Sequence, residues 1–488
     1  MSPALRRGLA VAAFFLGLSV ALRWAQLGNP AMQIDEQFYL LVGDRMWHGA
    51  LPYMHFWDRK PIGLFLIYAA TRLLGGDGVL QYQIVAACSA AATAVLVWRL
   101  ASRIAPQRGA MAAGAIYLIW LMVNGGEGGQ APVFYNLLVA GAALAVVCVI
   151  ERPTFDRAAL GWACAAMALS GAALQVKYSV LFEGVFFGLT LLAVASRRGV
   201  RPTMLLAAAG LWIALALTPT ALAGAWYWQI GQLDAFLFAN FESIFLRSPY
   251  QGDTQQRLFK IAARLGLPAA AALGGWWISG GARGQARLFL GLWTAVAIAS
   301  LIAFGTYHDH YALAPLLPIT ILGAPAFAWA FATPRKRLRV TPVAVAVGLA
   351  GLIWGGIIVK DGRWRRGDGI AVRALAAPIA PGDTLFVFSG DPALYHLSAA
   401  RIPTAWNFPT LLSERRDSHS LGIDMHAELA RVMAARPHFV ATRSGYPFPE
   451  ADPAAWQAMQ AMLARDYALV VDRPVGPQHR LLYQRVAH

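Results

Sequence analysis

The sequence predicts a polytopic α-helical membrane protein of about eleven transmembrane helices, with interfacial helices in its first outer loop and a small C-terminal α/β domain outside the membrane. Three observations predict it. Hydrophobic residues make up 58% of the 488 and charged ones only 14%, with a mean hydropathy of +0.50, a balance that argues against a soluble multidomain enzyme. Apolar runs able to span a bilayer, about 20 residues each, recur as far as about residue 359. From residue 360 short β-rich runs replace them, so the expected division is a membrane domain over 1–359 and an outer α/β domain over 360–488.

The apolar runs lie near 8–27, 79–100, 109–124, 131–150, 158–175, 180–196, 203–223, 263–280, 287–304, 311–331 and 341–359. Arg6 and Arg7 ahead of the first run could open a signal peptide, but Arg23 and Trp24 stand where small residues should mark cleavage, so the helix is read as retained. The loops then set orientation. Arg6/Arg7, Arg103/Arg108, Arg152/Arg157, Arg197/Arg198/Arg201, Arg283/Arg287 and Arg335/Lys336/Arg337/Arg339 fall on alternate sides of the runs, as the positive-inside rule requires of inner loops. The outer face then receives 33–63, the Glu127 loop, the Lys177 turn, a long loop at 224–262, the Tyr307–Tyr311 turn and the C-terminal segment. This clustering also accounts for the net charge of +16 without a nucleic-acid partner. Cys88, Cys148 and Cys164 lie within apolar runs and read as small core hydrophobes.

The stretch Gln33 to Gly63 gathers Asp35, Glu36, Asp44, Asp58, Arg59 and Lys60 in a chain otherwise poor in charge. Apolar residues at helical spacing predict a helix over 36–47 along the membrane surface, with Asp35 as its N-cap. Pro61 suits the first turn of a second helix reaching about Leu74, short enough to be interfacial or re-entrant. The long 224–262 loop is aromatic-rich and amphipathic in its middle, as expected for a helix packed at the lipid headgroup level. Beyond residue 360, strands are expected at 383–389, 437–443, 467–473 and 479–486, with helices at 424–435 and 453–465 between them.

A carboxylate beside cations is held ionised and can serve as a general base on a hydroxyl. The cations can bind a phosphate leaving group and stabilise its developing charge. Asp35 and Glu36 followed by Asp58, Arg59 and Lys60 supply both parts. Lys177 in an outer turn could act likewise or simply snorkel. His308 and His310 around Asp309 could ligate a divalent metal or hydrogen-bond a pyrophosphate-like head group.

The pattern Asp35, Glu36, Tyr39, Gly49, Pro52, Tyr53, Trp57, Asp58, Lys60 and Pro61 resembles the first outer loop of the GT-C glycosyltransferases. The nearest groups are the dolichyl-phosphate-mannose protein mannosyltransferases and the bacterial aminoarabinose lipid A transferases. The resemblance implies a polyprenyl-phosphate sugar as co-substrate, an acidic residue of this loop as base, and a multi-pass enzyme of the inner membrane with its active site and C-terminal domain on the periplasmic side. Gln175 to Tyr178 is similar to the family's lysine-bearing turn, and Tyr307 to Tyr311 to its His-Tyr motif. Asn240, Arg247 and Tyr250 occupy a loop where a phosphate-contacting arginine is expected. Ile62 departs from the second proline of many relatives, and Gln130-Ala131-Pro132 from their acidic third loop, where Glu127 could substitute.

The function expected is inverting transfer of a sugar from the lipid-phosphate donor to an acceptor hydroxyl. Asp35 and Glu36 are the catalytic candidates, and Asp58, Arg59, Lys60, Lys177, Tyr178, Arg247, His308, His310 and Tyr311 the donor-phosphate ligands. The partners expected are membrane lipids, the donor, and an acceptor lipid, glycan or protein. The rival reading is a transporter or lipid-linked sugar flippase. It fits less well, because such proteins hold charged sites near the bilayer midplane whereas here most ionisable residues lie at run ends and in loops.

Overall fold

Backbone groups have no water to bond in a bilayer, so apolar helices of sufficient length are the elements able to cross it. In the computed structural model, which describes residues 2–249, 252–278, 284–329, 341–361 and 366–486, eight helices meet that requirement by length and composition. They are Pro3–Arg23, Val79–Ala101, Ala131–Ile150, Arg157–Leu174, Tyr178–Arg197, Pro202–Gln229, Thr254–Ile278 and Gly284–Ala303. Two more expected runs form the helices Gln107–Val123 and Pro342–Asp361. The run at 311–331 breaks into Leu313–Leu322 and Ala324–Phe327. Tyr250, Arg283, Arg335, Lys336, Arg337 and Arg339 lie outside the described residues.

The chain divides into two units. The first comprises Met1–Trp24, Val85–Leu222 and Thr254–Ile358. Its helices approach closely where side chains vanish: a Cβ on Gly171 would lie 2.4 Å from the Ala216 carbonyl oxygen, and one on Gly275 2.2 Å from that of Leu322. Small residues at such crossings are what allow packing without a hydrophobic drive between helices. Arg23, only 1% exposed, donates to the Ser19 hydroxyl at 2.9 Å and the Gly126 carbonyl at 2.9 Å. The first helix is therefore joined to the Gly126 loop by a buried cation whose charge is spread over oxygen acceptors.

The second unit comprises Ala25–Ile84, Ala223–Asp253 and Val359–His488. Its sheet holds β1 (Leu385–Val387), β2 (Phe439–Arg443), β3 (Tyr467–Val475) and β4 (Gln478–Arg485) in the order β1-β2-β4-β3. β1 and β2 are parallel and the other pairs antiparallel. Helices Met425–Ala434 and Pro453–Asp466 lie between strands in the chain, each started by an aspartate side chain, Asp424 or Asp452, that caps a free amide. All four expected strands and both expected helices are therefore found. The core of this domain, with Phe386, Phe388, Leu429 and Trp456, also contains Trp57 of the first loop. The Trp57 amide donates to the Ala405 carbonyl at 2.9 Å, so backbone as well as indole joins the loop to the domain.

Three local expectations need correction. Asp35 is not the N-cap of the first-loop helix, which runs Ile34–Met46 from Gln33 because the Gln33 carbonyl already accepts from Glu36 and Gln37. Pro61 stands just before its helix, Ile62–Thr71, rather than within the first turn. The 224–262 segment is largely helical at its ends, where Pro202–Gln229 and Thr254–Ile278 extend into it, since their polar and aromatic residues continue the helical hydrogen-bond ladder. Between them Leu233–Leu246 forms short helical turns exposing Ile244 and Phe245.

Helix Ile34–Met46 is buried continuously from Glu36 to Gly43, so protein covers its polar as well as its apolar side. At Gly43 a Cβ would lie 2.6 Å from the Ala69 amide nitrogen, which puts the two first-loop helices in backbone contact. Gly43→Val is expected to destabilise the protein by about 1–3 kcal/mol through overpacking, read as a lower Tm in detergent. Gly17→Ala, with nothing within 4 Å, is the control expected to leave Tm unchanged; equal behaviour of the two variants would refute the contact.

Candidate functional site

In the second unit the carboxylates open helix Ile34–Met46, where the positive end of the helix dipole favours them. Their environments differ sharply. Asp35 is partly exposed, whereas Glu36 is 0% exposed and lies close enough to the Tyr68 phenol to raise its pKa, after burial, which is the larger cause. Asp35 is therefore the acid a second molecule could reach. One helical turn on, Tyr39 presents its ring beneath the Lys60 ammonium at 5.6 Å. Residues four apart share a helix face, so the acid and the cation belong to the same side of this helix.

The loop before Lys60 is held in an uncommon backbone form. Tyr53 adopts φ +67°, a strained conformation for a bulky residue. Its ring is fixed by Tyr227 at 5.3 Å and Phe236 at 5.8 Å, and its hydroxyl donates to the Lys60 carbonyl at 2.8 Å. Asn240, 3.3 Å away through its side-chain oxygen, completes this support. Asp58 accepts from the Arg59 amide at 2.6 Å and sits 3.9 Å from the Lys60 ammonium, so it shapes the turn that carries both cations.

Arg59 and Arg247 converge on one carboxylate that sequence reasoning missed, Asp417. Arg59 Nη2 lies 2.8 Å and Arg247 Nε 2.7 Å from the same Asp417 oxygen. Burial lowers the Arg59 guanidinium to about 10, with Asp417 the main opposing influence. Burial pushes Asp417 up, but Arg59 and Arg247 outweigh it and hold the carboxyl below its ordinary range. Asp417 is separated from Arg59 by 358 residues, and no local pattern could have announced it.

In the first unit Lys177 holds its ammonium 4.3 Å from the centre of the Tyr311 ring. His308 and His310 stack with centroids 5.8 Å apart and planes within 3°, and Tyr311 lies edge-on to His310 at 4.9 Å. Tyr307, at φ +44°, makes the turn that presents them. Arg257 Nη1 is 3.2 Å from His308 Nδ1; arginine can only donate, so Nδ1 accepts and the imidazole proton sits on Nε2. Arg264 pairs with Asp309 at 2.7 Å. The seven-residue spacing of Arg257 and Arg264, one helix face, was the available signal, hidden because 254–262 reads as loop. Tyr178 opens the 3-10 turn after Lys177, and Glu127 is buried in the loop whose Gly125 lies beside His310. Among the described residues no three His, Cys, Asp or Glu side chains group to hold a metal ion.

No protein-family model and no curated protein sequence matches this chain. Solved structures do. ArnT from Cupriavidus metallidurans in the apo state superposes with TM-score 0.64 at 15% identity, covering 99% of each chain. The same protein bound to undecaprenyl phosphate gives 0.63 at 14%, covering 96% of this chain and 97% of that one. The archaeal oligosaccharyltransferase AglB from Archaeoglobus fulgidus, in complex with an inhibitory peptide and a dolichol-phosphate, gives 0.51 at 12%, covering 98% and 74%. Both proteins are GT-C glycosyltransferases. At these identities the likeness is one of fold, and the chain has the GT-C fold that its first loop resembles.

Beside Asp417, burial raises Glu414 to about 7, with Arg443 opposing and Glu450 and Asp417 adding to the rise. An acid raised on folding supports stability below its unfolded value, about 4.3, and loses that support as pH rises through its folded value. The expected outcome is a Tm that falls between about pH 5 and pH 8, with a shallower fall in Glu414→Gln. Identical slopes in the two proteins would count against a strained carboxyl at this position.

Proposed function

We propose that this chain is an integral membrane glycosyltransferase that moves a hexosyl or pentosyl unit from a polyprenyl-phosphate donor to an acceptor hydroxyl, with inversion, at the periplasmic face of the inner membrane. The observation that supports it most is a partly exposed carboxylate, Asp35, one helical turn from the tyrosine ring beneath the Lys60 ammonium, in a chain with the GT-C fold. The lipid phosphates bound in ArnT and AglB structures support the donor class. The acceptor is a lipid, a glycan or a protein.

In this reading Asp35 takes the proton of the acceptor hydroxyl, whose oxygen bonds to the anomeric carbon as the bond from that carbon to the phosphate oxygen breaks. The electron pair leaves with the lipid phosphate, and no nucleotide is consumed. Glu36, buried against Tyr68, assists by the field it adds at the helix start rather than by contact. The phosphate ligands proposed are Arg59, Lys60 and Arg247 with Asp58 shaping their turn, and Lys177, Tyr178, His308, His310 and Tyr311. Lysine and arginine donors and the Nε2 proton of His308 all suit an oxyanion. A divalent metal would supply further neutralisation of the leaving phosphate; the Nδ1 of His308 already accepts from Arg257, which favours the anion-binding role for that ring.

Eleven spans with an interfacial first loop, residues 1–359 as the catalytic membrane domain and 360–488 as the periplasmic domain complete the proposal. The alternation of basic loops supports the orientation.

Transfer from a panel of radiolabelled polyprenyl-phosphate sugars to cell-envelope extract tests the reading. Wild type is expected to label an acceptor, and Asp35→Asn to lose about 10²–10⁴-fold in rate, the range for a general base, while still binding undecaprenyl phosphate. Normal turnover by Asp35→Asn would sink the base assignment. No lipid-phosphate binding by the wild type would remove the donor class.

A further inference from the structure

Two guanidiniums close together repel, so a site that offers a phosphate two arginines must first hold those arginines side by side. Arg59 and Arg247 come from different loops and meet at Asp417, which is 4% exposed. Arg247 also reaches the second Asp417 oxygen, Nη2 to Oδ2 at 3.4 Å. Arg59 Nη2 donates further to the Ser420 hydroxyl, and that hydroxyl donates to the Asp417 carbonyl at 2.9 Å. The Trp57 indole lies under the Arg59 guanidinium at 4.6 Å. The backbone joins in as well, because the Ser248 amide donates to the Arg416 carbonyl at 3.0 Å and so ties the neighbour of Arg247 to the neighbour of Asp417.

We propose that Asp417 is a positioning residue for donor phosphate: the C-terminal domain supplies a carboxylate that holds Arg59 and Arg247 together, so that both can be offered to a single lipid phosphate. This rests on the donor-phosphate reading of the two arginines given above. Each guanidinium carries five N–H donors in a rigid fork. Among the described residues, Asp417 engages only Nε and Nη2 of Arg247 and only Nη2 of Arg59. Together with Lys60 and Asp58 the group has three cations against two carboxylates, so it remains attractive to an anion after Asp417 is counted. Asp417 thus sacrifices part of the positive charge to fix where the rest of it sits. The C-terminal domain would then be a required part of donor binding and not only a platform for the acceptor.

The test uses the full chain in detergent. Asp417→Asn keeps the size and one acceptor oxygen but removes the charge. Charge-assisted hydrogen bonds lost at a site of this kind weaken binding by about tenfold. The expected result is therefore a Kd for radiolabelled undecaprenyl phosphate, and a KM for the donor, both about tenfold higher, with kcat within about twofold of wild type. In an Arg247→Gln background the same substitution is expected to add less than about twofold, because the carboxylate acts through the arginine. Unchanged Kd and KM in an Asp417→Asn protein of normal Tm and gel-filtration profile overturn the proposal. Tighter binding overturns it too, since Asp417 would then be competing with phosphate. Should Asp417→Asn not fold, Ser420→Ala removes the second bond to Arg59 without touching a charge; a Kd raised about two- to threefold is expected, and no change overturns the proposal. Wild type that binds no undecaprenyl phosphate defeats the donor reading itself and this inference with it, a result distinct from a wild type that binds and a variant that binds equally well.

Discussion

Charge on the first loop can be sheltered from water only where acceptors meet it, and most of those acceptors come from the far end of the chain. Asp417 takes Arg59 and Arg247. Asp391, itself buried, takes Arg480 and the amide of Gln37, the residue after Glu36. Asp44 takes Arg72 and approaches His396 at 3.5 Å. Breaking a buried pair leaves a charge uncompensated and costs several kcal/mol, on the order of 3–5. Loop and C-terminal domain are therefore committed to each other, and Trp57 in the domain's apolar core adds the non-polar part of the same bond.

A different economy governs the unit built from the long apolar helices. Its helices approach closely at glycines such as Gly171 and Gly275, and one cluster of its polar groups lies at the turn from Tyr307 to Tyr311. There, aromatic faces, two imidazoles and the cations Lys177, Arg257 and Arg264 lie within one network with Asp309 and Tyr311. Cation–π contact holds the Lys177 ammonium in place without neutralising it, whereas Arg264 is paired with a carboxylate, Asp309, as Arg59 is with Asp417 in the other unit. Both arrangements present oriented N–H donors.

The two acids at the start of helix Ile34–Met46 show how environment separates roles that sequence leaves equal. Asp35 keeps access to solvent while Glu36 is enclosed near Tyr68. The strain at Tyr53 and Tyr307 marks the turns carrying Lys60 and the histidines, and ring packing on both sides of Tyr53 is what maintains it.

Sequence by itself determined what local periodicity and composition encode: the apolar helices, the four strands and two helices after residue 360, and the charged first loop with its likeness to GT-C enzymes. Those features depend on neighbours a few residues away, so Val440 or Leu463 can be assigned to strand or helix from its surroundings alone. Tertiary structure decided the rest. That Asp35 is a first-turn residue and not a cap turned on the carbonyl of Gln33. That Arg257 and Arg264 attend the histidine turn depended on a helix beginning earlier than hydropathy suggests. Asp417 depended on a contact across 358 residues. Attraction between a carboxylate and two guanidiniums acts over a few ångströms of space whatever the distance along the chain, and a pattern read along one strand of sequence does not contain that distance.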